Sequence, residues 1–109
     1  MPSFSKHDVI LVRYPFSDLT GVKVRPAIVV SAAHVSKDIF IVPLTSKMSP
    51  LLSGEFPLAG WREAGLNVPT SIKRGLYTVH ESLVVKKVGK ISNTDANILE
   101  ASLRAWLDL

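Results

Sequence analysis

Apolar residues in this chain come in short blocks rich in β-branched side chains, with turn residues between them. Such blocks predict strands. The first, Asp8-Val9-Ile10-Leu11-Val12-Arg13-Tyr14, alternates in the manner of a strand with two distinct faces. Val9, Leu11 and Arg13 share one face, and Ile10, Val12 and Tyr14 share the other. Residues 15–23 hold several turn formers and read as a long hairpin loop returning to Arg25. A second strand is predicted over 26–31 and a third over 38–44, separated by a polar bend. Pro43 has no N–H for a ladder bond, which predicts an edge or a bulge at that end. Residues 48–54 read as loop, 55–58 are a candidate short strand, and 61–66 form a helical turn or a loop. Residues 72–79 read as extended, with Gly75 as a bulge or kink, and 83–91 make a last strand.

The C-terminus changes period. Ser92 is a good N-cap, and Asp95 three residues later approximates a capping box. Ile98, Leu99, Ser102, Leu103, Trp106 and Leu107 then recur at the spacing of one helix face, which predicts a helix docked on the core. Five to seven short strands and one terminal helix describe a mainly β (α+β) chain. The geometry expected is a small, strongly bent barrel or a two-sheet fold.

Composition narrows the class. A chain of 109 residues is expected to form a single domain over 1–109, and 47% hydrophobic against 20% charged residues excludes a disordered chain. The absence of cysteine excludes a disulfide framework and a thiolate zinc site. Residues 1–8 lack the apolar run of a signal peptide, and no stretch is long enough to span a bilayer. A cytoplasmic protein with no membrane partner is expected. His7, His34 and His80 are far apart in the chain, so neither a metal nor another cofactor is expected. There is no glycine-rich phosphate loop, no nucleophile elbow and no paired carboxylate arrangement. A formal charge of +4 is compatible with nucleic acid or another acidic partner.

What remains is a set of cations and hydroxyls at strand ends: Arg25, Thr45, Ser46, Lys47, Ser71, Lys73 and Arg74. Arg25 directly precedes Pro26, which holds it in extended geometry. Gathered by the sheet, these groups would bind a phosphodiester. They would also supply the charge stabilisation needed to cleave RNA without metal, in which the 2′-hydroxyl attacks and the leaving oxygen is protonated. The plainer reading has Thr45 and Ser46 closing a turn and Lys73 and Arg74 on a solvated strand face.

Several stretches, in order, resemble the PemK/MazF family of toxins from bacterial toxin–antitoxin pairs. They are Asp8-Val9-Ile10-Leu11-Val12, Tyr14-Pro15-Phe16-Ser17-Asp18 and Lys23-Val24-Arg25-Pro26-Ala27-Ile28-Val29-Val30-Ser31. Pro43-Leu44-Thr45-Ser46, Ala64-Gly65-Leu66, Pro69-Thr70-Ser71 and Val88-Gly89-Lys90-Ile91 continue the series. The resemblance implies an SH3-like small barrel with a C-terminal helix, assembled as a homodimer. It implies a metal-independent endoribonuclease that cuts single-stranded RNA, often mRNA, through a 2′,3′-cyclic phosphate. It also implies a cognate antitoxin protein that blocks the RNA groove; an acidic antitoxin would suit the positive charge.

Carried over by position, Arg25 would stabilise the phosphorane and Thr45 would position the scissile phosphate. An arginine is a poor proton donor at neutral pH, so its role is electrostatic. Lys23, Ser46, Lys47, Ser71, Lys73 and Arg74 would hold substrate. The first hairpin loop lacks the histidine of some members, and Lys73-Arg74-Gly75-Leu76 lacks the carboxylate of others. Either Asp18 is then the base, or the 2′-hydroxyl is activated by positioning, or the protein binds RNA without efficient cleavage. The alternative is a non-catalytic toxin, or a nucleic-acid- or protein-binding module of the same barrel shape.

Overall fold

The computed structural model describes residues 4–14 and 23–109. It contains strands β1 (Asp8–Tyr14), β2 (Lys23–Val29), β3 (Asp38–Thr45), β4 (Ser71–Ile72), β5 (Tyr77–His80) and β6 (Val84–Lys90), then helix α1 (Asn93–Leu107). All pairings are antiparallel. The sheet runs β4-β3-β2-β1-β6, with β5 also paired to β3. Among the described residues the ladder does not close on itself. The architecture is a mostly β, barrel-like sheet with one C-terminal helix, as expected.

Three boundaries differ from the sequence pattern. Strand β2 begins at Lys23 and ends at Val29, because Lys23, Val24 and Arg25 already pair with Tyr14, Arg13 and Val12 of β1. Arg25 therefore lies inside a strand instead of at its mouth. The extended run expected over 72–79 is two strands. β4 and β5 both lie against β3, and the chain crosses from one to the other over Pro43 at residues 73–76. Of the candidate strand at 55–58, one isolated bridge forms, Pro57↔Ser71.

Strand alternation places an apolar core on each face. Ile10, Val12, Ala27, Val29, Ile39, Ile41 and Val79 fill one. Val9, Ile28, Val42, Leu44 and Ile72 form the other, covered by Leu58, Ala64, Ala96 and Leu99 from the 55–66 segment and α1. Side chains such as Ile10, Ile28 and Ile41 are fully buried; each contributes about 1.5–3 kcal/mol. No helix among the described residues is long and apolar enough to cross a membrane.

The 55–66 segment is held to the sheet by backbone contact. An added Cβ at Gly89 would stand 2.6 Å from the carbonyl carbon of Ala64, and one at Gly65 (φ +88) would stand 2.8 Å from that of Val88. Only glycine permits both approaches. Asp95, fully buried in the first turn of α1, accepts from the Ala59 and Gly60 N–H groups at 3.0 and 2.9 Å. Ser92 Oγ does cap the helix, accepting from Asp95 N–H at 3.2 Å. The Asp95 carboxylate turns to the loop instead of completing a capping box. The docked stripe runs through Asp95, Leu99, Ser102 and Trp106, and leaves Ile98 and Leu107, expected on it, 42% and 48% exposed on its flanks.

At the start of β1, the Asp8 carboxylate is buried between two half-exposed ammonium groups, Lys87 at 3.1 Å and Lys90 at 3.3 Å. Both contacts fall on Oδ1 and are ion pairs without the directed geometry of a hydrogen bond. Oδ2 accepts from Ser5 N–H at 2.8 Å. Burial pushes the Asp8 pKa up, but the Ser5 amide and the two lysines outweigh it, so the group stays below the usual carboxylate value.

Candidate functional site

The site begins where a proline ends a ladder. Strands β2 and β3 pair at Val29↔Ile41, Ile28↔Val42 and Ala27↔Pro43, and there the ladder stops. Val30 N–H donates to Phe40 C=O across this seam, so Pro26 is the next residue of β2 to face β3, and it has no N–H to extend the ladder. The Pro43 carbonyl accepts from Lys73 N–H at 3.0 Å on the β4 side. An extended residue presents N–H and C=O to the same edge, so the donor Pro43 lacks would have faced the seam between β4 and β5. Beyond the prolines β2 stays paired to β1, and β3 stays paired to β4. The sheet is left as two ribbons at this end.

Arg25 and Thr45 stand on those ribbons, each two residues beyond the final rung. Continued past its last rung, the β2–β3 register sets them opposite one another, on the face that carries Ala27 and Ile41 further in. Thr45 pairs in turn with Ser71, and Val12 pairs with Arg25. One row therefore crosses four strands, as Val12, Arg25, Thr45 and Ser71. Lys73 follows Ser71 on the same face, beside Pro43.

The side chains in this row are in different states. Arg25 and Lys73 are exposed, and neither has a hydrogen-bond or ion-pair partner among the described residues. Thr45 Oγ1 accepts from Lys47 N–H at 3.1 Å, so it closes the turn after β3. That bond uses a lone pair and leaves the hydroxyl proton free to donate. The turn-closing role and a phosphate-binding role are compatible. Ser71 is buried and its hydroxyl donates to Met48 Sδ at 3.1 Å. It lies beside Thr45 in the ladder and is not an open donor. Ser46 and Lys47 are exposed at the strand end.

Arg74 is carried elsewhere. Its backbone N–H donates to Glu55 Oε2 at 2.8 Å, and its guanidinium lies 6.0 Å from the centroid of the Trp106 ring, on the helix side. Lys23 pairs with Tyr14 at the outer end of β2. Asp18, the candidate base, lies outside the described residues. Met48 and Glu55 were not singled out from the sequence. Their roles, under Ser71 and on the Arg74 amide, depend on chain crossings that no local spacing signals.

Carboxylates are sorted along the strands. The segments that meet at this end, 12–14, 23–25, 44–47 and 71–74, carry Arg13, Lys23, Arg25, Lys47, Lys73 and Arg74 and no carboxylate. Asp8, Asp38 and Glu81 sit at the opposite end, where β1 and β3 begin and β5 stops. A cation-rich end facing no carboxylate of its own strands suits a polyanion.

This fold and this cation-rich sheet end define a small β-domain suited to an acidic partner. The chain matches PemK-like, MazF-like toxins of type II toxin–antitoxin systems over residues 5–107. That span is nearly the whole chain, and the protein belongs to this family.

Solved structures show the same fold. An endoribonuclease in complex with its cognate antitoxin, from a mycobacterial species, superposes with a TM-score of 0.79 at 13% identity, over 98% of this chain and 97% of that one. MazF (Form-I) from Deinococcus radiodurans gives 0.74 at 18% identity, over 99% and 97%. The Mycobacterium tuberculosis toxin MazF-mt6 gives 0.75 at 17%, over 94% and 97%. No curated protein sequence matches the chain.

Proposed function

We propose that this toxin is an endoribonuclease that cuts single-stranded RNA at the end of the sheet where the β2–β3 ladder stops. The observation that carries the reading is the register of Arg25 opposite Thr45 on one face, with Lys73 alongside and no carboxylate on the converging strand segments. RNA lies across the opening with a phosphate between Arg25 and Thr45. The 2′-oxygen attacks phosphorus, the bond to the 5′-oxygen breaks, and the products are a 2′,3′-cyclic phosphate and a 5′-hydroxyl. The 2′ proton leaves to a base and a proton returns to the 5′-oxygen. Arg25 meets the charge that builds on the phosphorane oxygens, and the Thr45 hydroxyl donates to one of them. Lys73 and Lys47 hold flanking phosphates, with Lys23 and Ser46 at the rim. Asp18 is the proposed base. The protein acts in the cytoplasm as a homodimer, and a cognate antitoxin occupies the RNA groove.

The experiment uses a long single-stranded RNA in EDTA, with the ends of the products analysed. Cuts that leave 5′-hydroxyl ends and vanish when a 2′-deoxynucleotide replaces the nucleotide 5′ of the cut support the reading. Intact RNA in the presence of tightly binding protein refutes cleavage. That result supports a binding toxin, a reading favoured by the lack of a histidine or carboxylate on the strand segments of this end among the described residues.

A further inference from the structure

Helix α1 leaves a pocket of roughly 190 Å³ against the crossover from β4 to β5, lined by Arg74, Gly75, Leu76, Leu103, Trp106 and Leu107. Sites for drug-sized ligands start at about 300 Å³, so this one takes a single ring system or side chain. Its aromatic wall is held rigidly. Trp106 Nε1 donates to Ser53 C=O at 3.0 Å. The indole also rests against Gly54, where an added Cβ would stand 2.8 Å from Cε2. Arg74 Cζ stands 6.0 Å from the ring centroid, and among the described residues no carboxylate pairs with that guanidinium. The nearby Glu55 is already engaged, its two oxygens accepting from Leu52 and Arg74 N–H at 2.7 and 2.8 Å. The rim is apolar and open, with Leu76 43% and Leu107 48% exposed.

We propose that this pocket is a nucleobase subsite, in which one unstacked base of single-stranded RNA lies between the Trp106 indole and the Arg74 guanidinium. The inference rests on the RNA reading above and extends it to a second contact region. Unstacked bases bind to aromatic faces and arginine planes. Two stacking contacts of about 3.5 Å need about 7 Å between the planes, so Arg74, with Cζ 6.0 Å from the ring centroid, must move outward by at least about 1 Å, which an exposed side chain permits. The chain itself links the two regions. Lys73 stands beside the Arg25–Thr45 row, and Arg74, the next residue, turns to the pocket. A strand with a phosphate on Lys73 therefore has a neighbouring base within reach of Trp106. The other lining residues are leucines and a glycine, with no side-chain group to read a base edge. The subsite holds any base and adds affinity without choosing sequence.

The test uses the Trp61→Phe protein, in which Trp106 is the remaining tryptophan, with folding checked by circular dichroism. It is titrated with a labelled mixed-sequence 2′-O-methyl decanucleotide, which cannot be cleaved by 2′-oxygen attack. Label anisotropy reports binding, and tryptophan emission reports stacking. The expected result is quenching of Trp106 in step with anisotropy, and a Kd weakened about 5- to 100-fold by Arg74→Ala. Binding with unchanged emission, and with unchanged affinity in Arg74→Ala, overturns the subsite and leaves the RNA reading standing. No binding at all overturns both. Quenching by an apolar peptide and not by the oligonucleotide assigns the pocket to a protein side chain and overturns the proposal.

Discussion

Placing a methyl group at Gly89 tests how the 55–66 segment is locked onto the sheet. An alanine Cβ there would lie 2.6 Å from the Ala64 carbonyl carbon and 3.2 Å from Gly65 N. These are backbone atoms, so no rotamer change relieves the contact; the segment must move by about 1 Å to restore normal van der Waals separation. Overpacking of this kind costs about 1–3 kcal/mol. Loss of unfolded-state entropy in Gly→Ala returns about 0.4–1 kcal/mol. The net expectation for Gly89→Ala is a loss of about 1–2 kcal/mol, or a Tm lower by about 4–8 °C at about 4 °C per kcal/mol for a chain this size. Gly65→Ala adds the strain of a left-handed residue (φ +88), about 1–2 kcal/mol more. One outward shift of the segment relieves both clashes, so the double variant loses less than the sum by about 1 kcal/mol. Urea titration followed by circular dichroism measures all three. A Gly89→Ala protein within 0.5 kcal/mol of wild type, or strict additivity in the double variant, refutes the reasoning.

Other outcomes follow from the same structure. Acid weakens the fold in two stages. The His7 pKa is lowered from 6.5, first by burial and then by Lys6 and Lys90, so its contribution is present above 6.5 and is lost as pH falls through the lower folded value. The Asp8 pKa is lowered from 3.8, so its contribution holds above 3.8 and is lost below it; urea titrations of His7→Gln and Asp8→Asn each lack one stage. Asp95→Asn leaves one of the Ala59 and Gly60 amides facing an NH₂ group, and costs about 1–3 kcal/mol in the same assay. Lys73→Ala lowers the slope of log K against log salt for single-stranded RNA by about 0.7, measured by anisotropy from 50 to about 200 mM salt.

The strands were legible where periodicity alone decides them. The two faces of β1, with Ile10 and Val12 in one core and Val9 in the other, follow directly from alternation. The N-cap at Ser92 was equally plain. Pro43 also announced a break, but its consequence is a change of neighbour, from β5 to β4, which depends on a strand almost thirty residues later. Thr45 was recognisable as a strand-end group, whereas Arg25, which also read as one, lies two residues inside β2. Their opposition required the β2–β3 register, which is set by which face is buried. Lys73 and Arg74 looked equivalent in sequence, and the crossover sends them to different sides. Trp106 read as a core residue of α1, since nothing local reveals that one side of its ring faces a pocket. Asp95 looked like half of a capping box because the loop amides it binds lie 35 and 36 residues away.

The central claim is that Arg25 and Thr45 act together on one phosphate. The direct measurement is the single-turnover cleavage rate of one defined RNA in EDTA by the wild-type, Arg25→Ala, Thr45→Ala and double-variant proteins, with binding measured on the uncleavable analogue. Loss of the arginine should slow cleavage about 10²- to 10³-fold, and loss of the hydroxyl about 10-fold. Binding should weaken far less than the rate. The double variant should be little slower than Arg25→Ala, as expected for two groups that act as a unit. Arg25→Ala cleaving at the wild-type rate, or rate losses matched fully by weaker binding, would contradict the account.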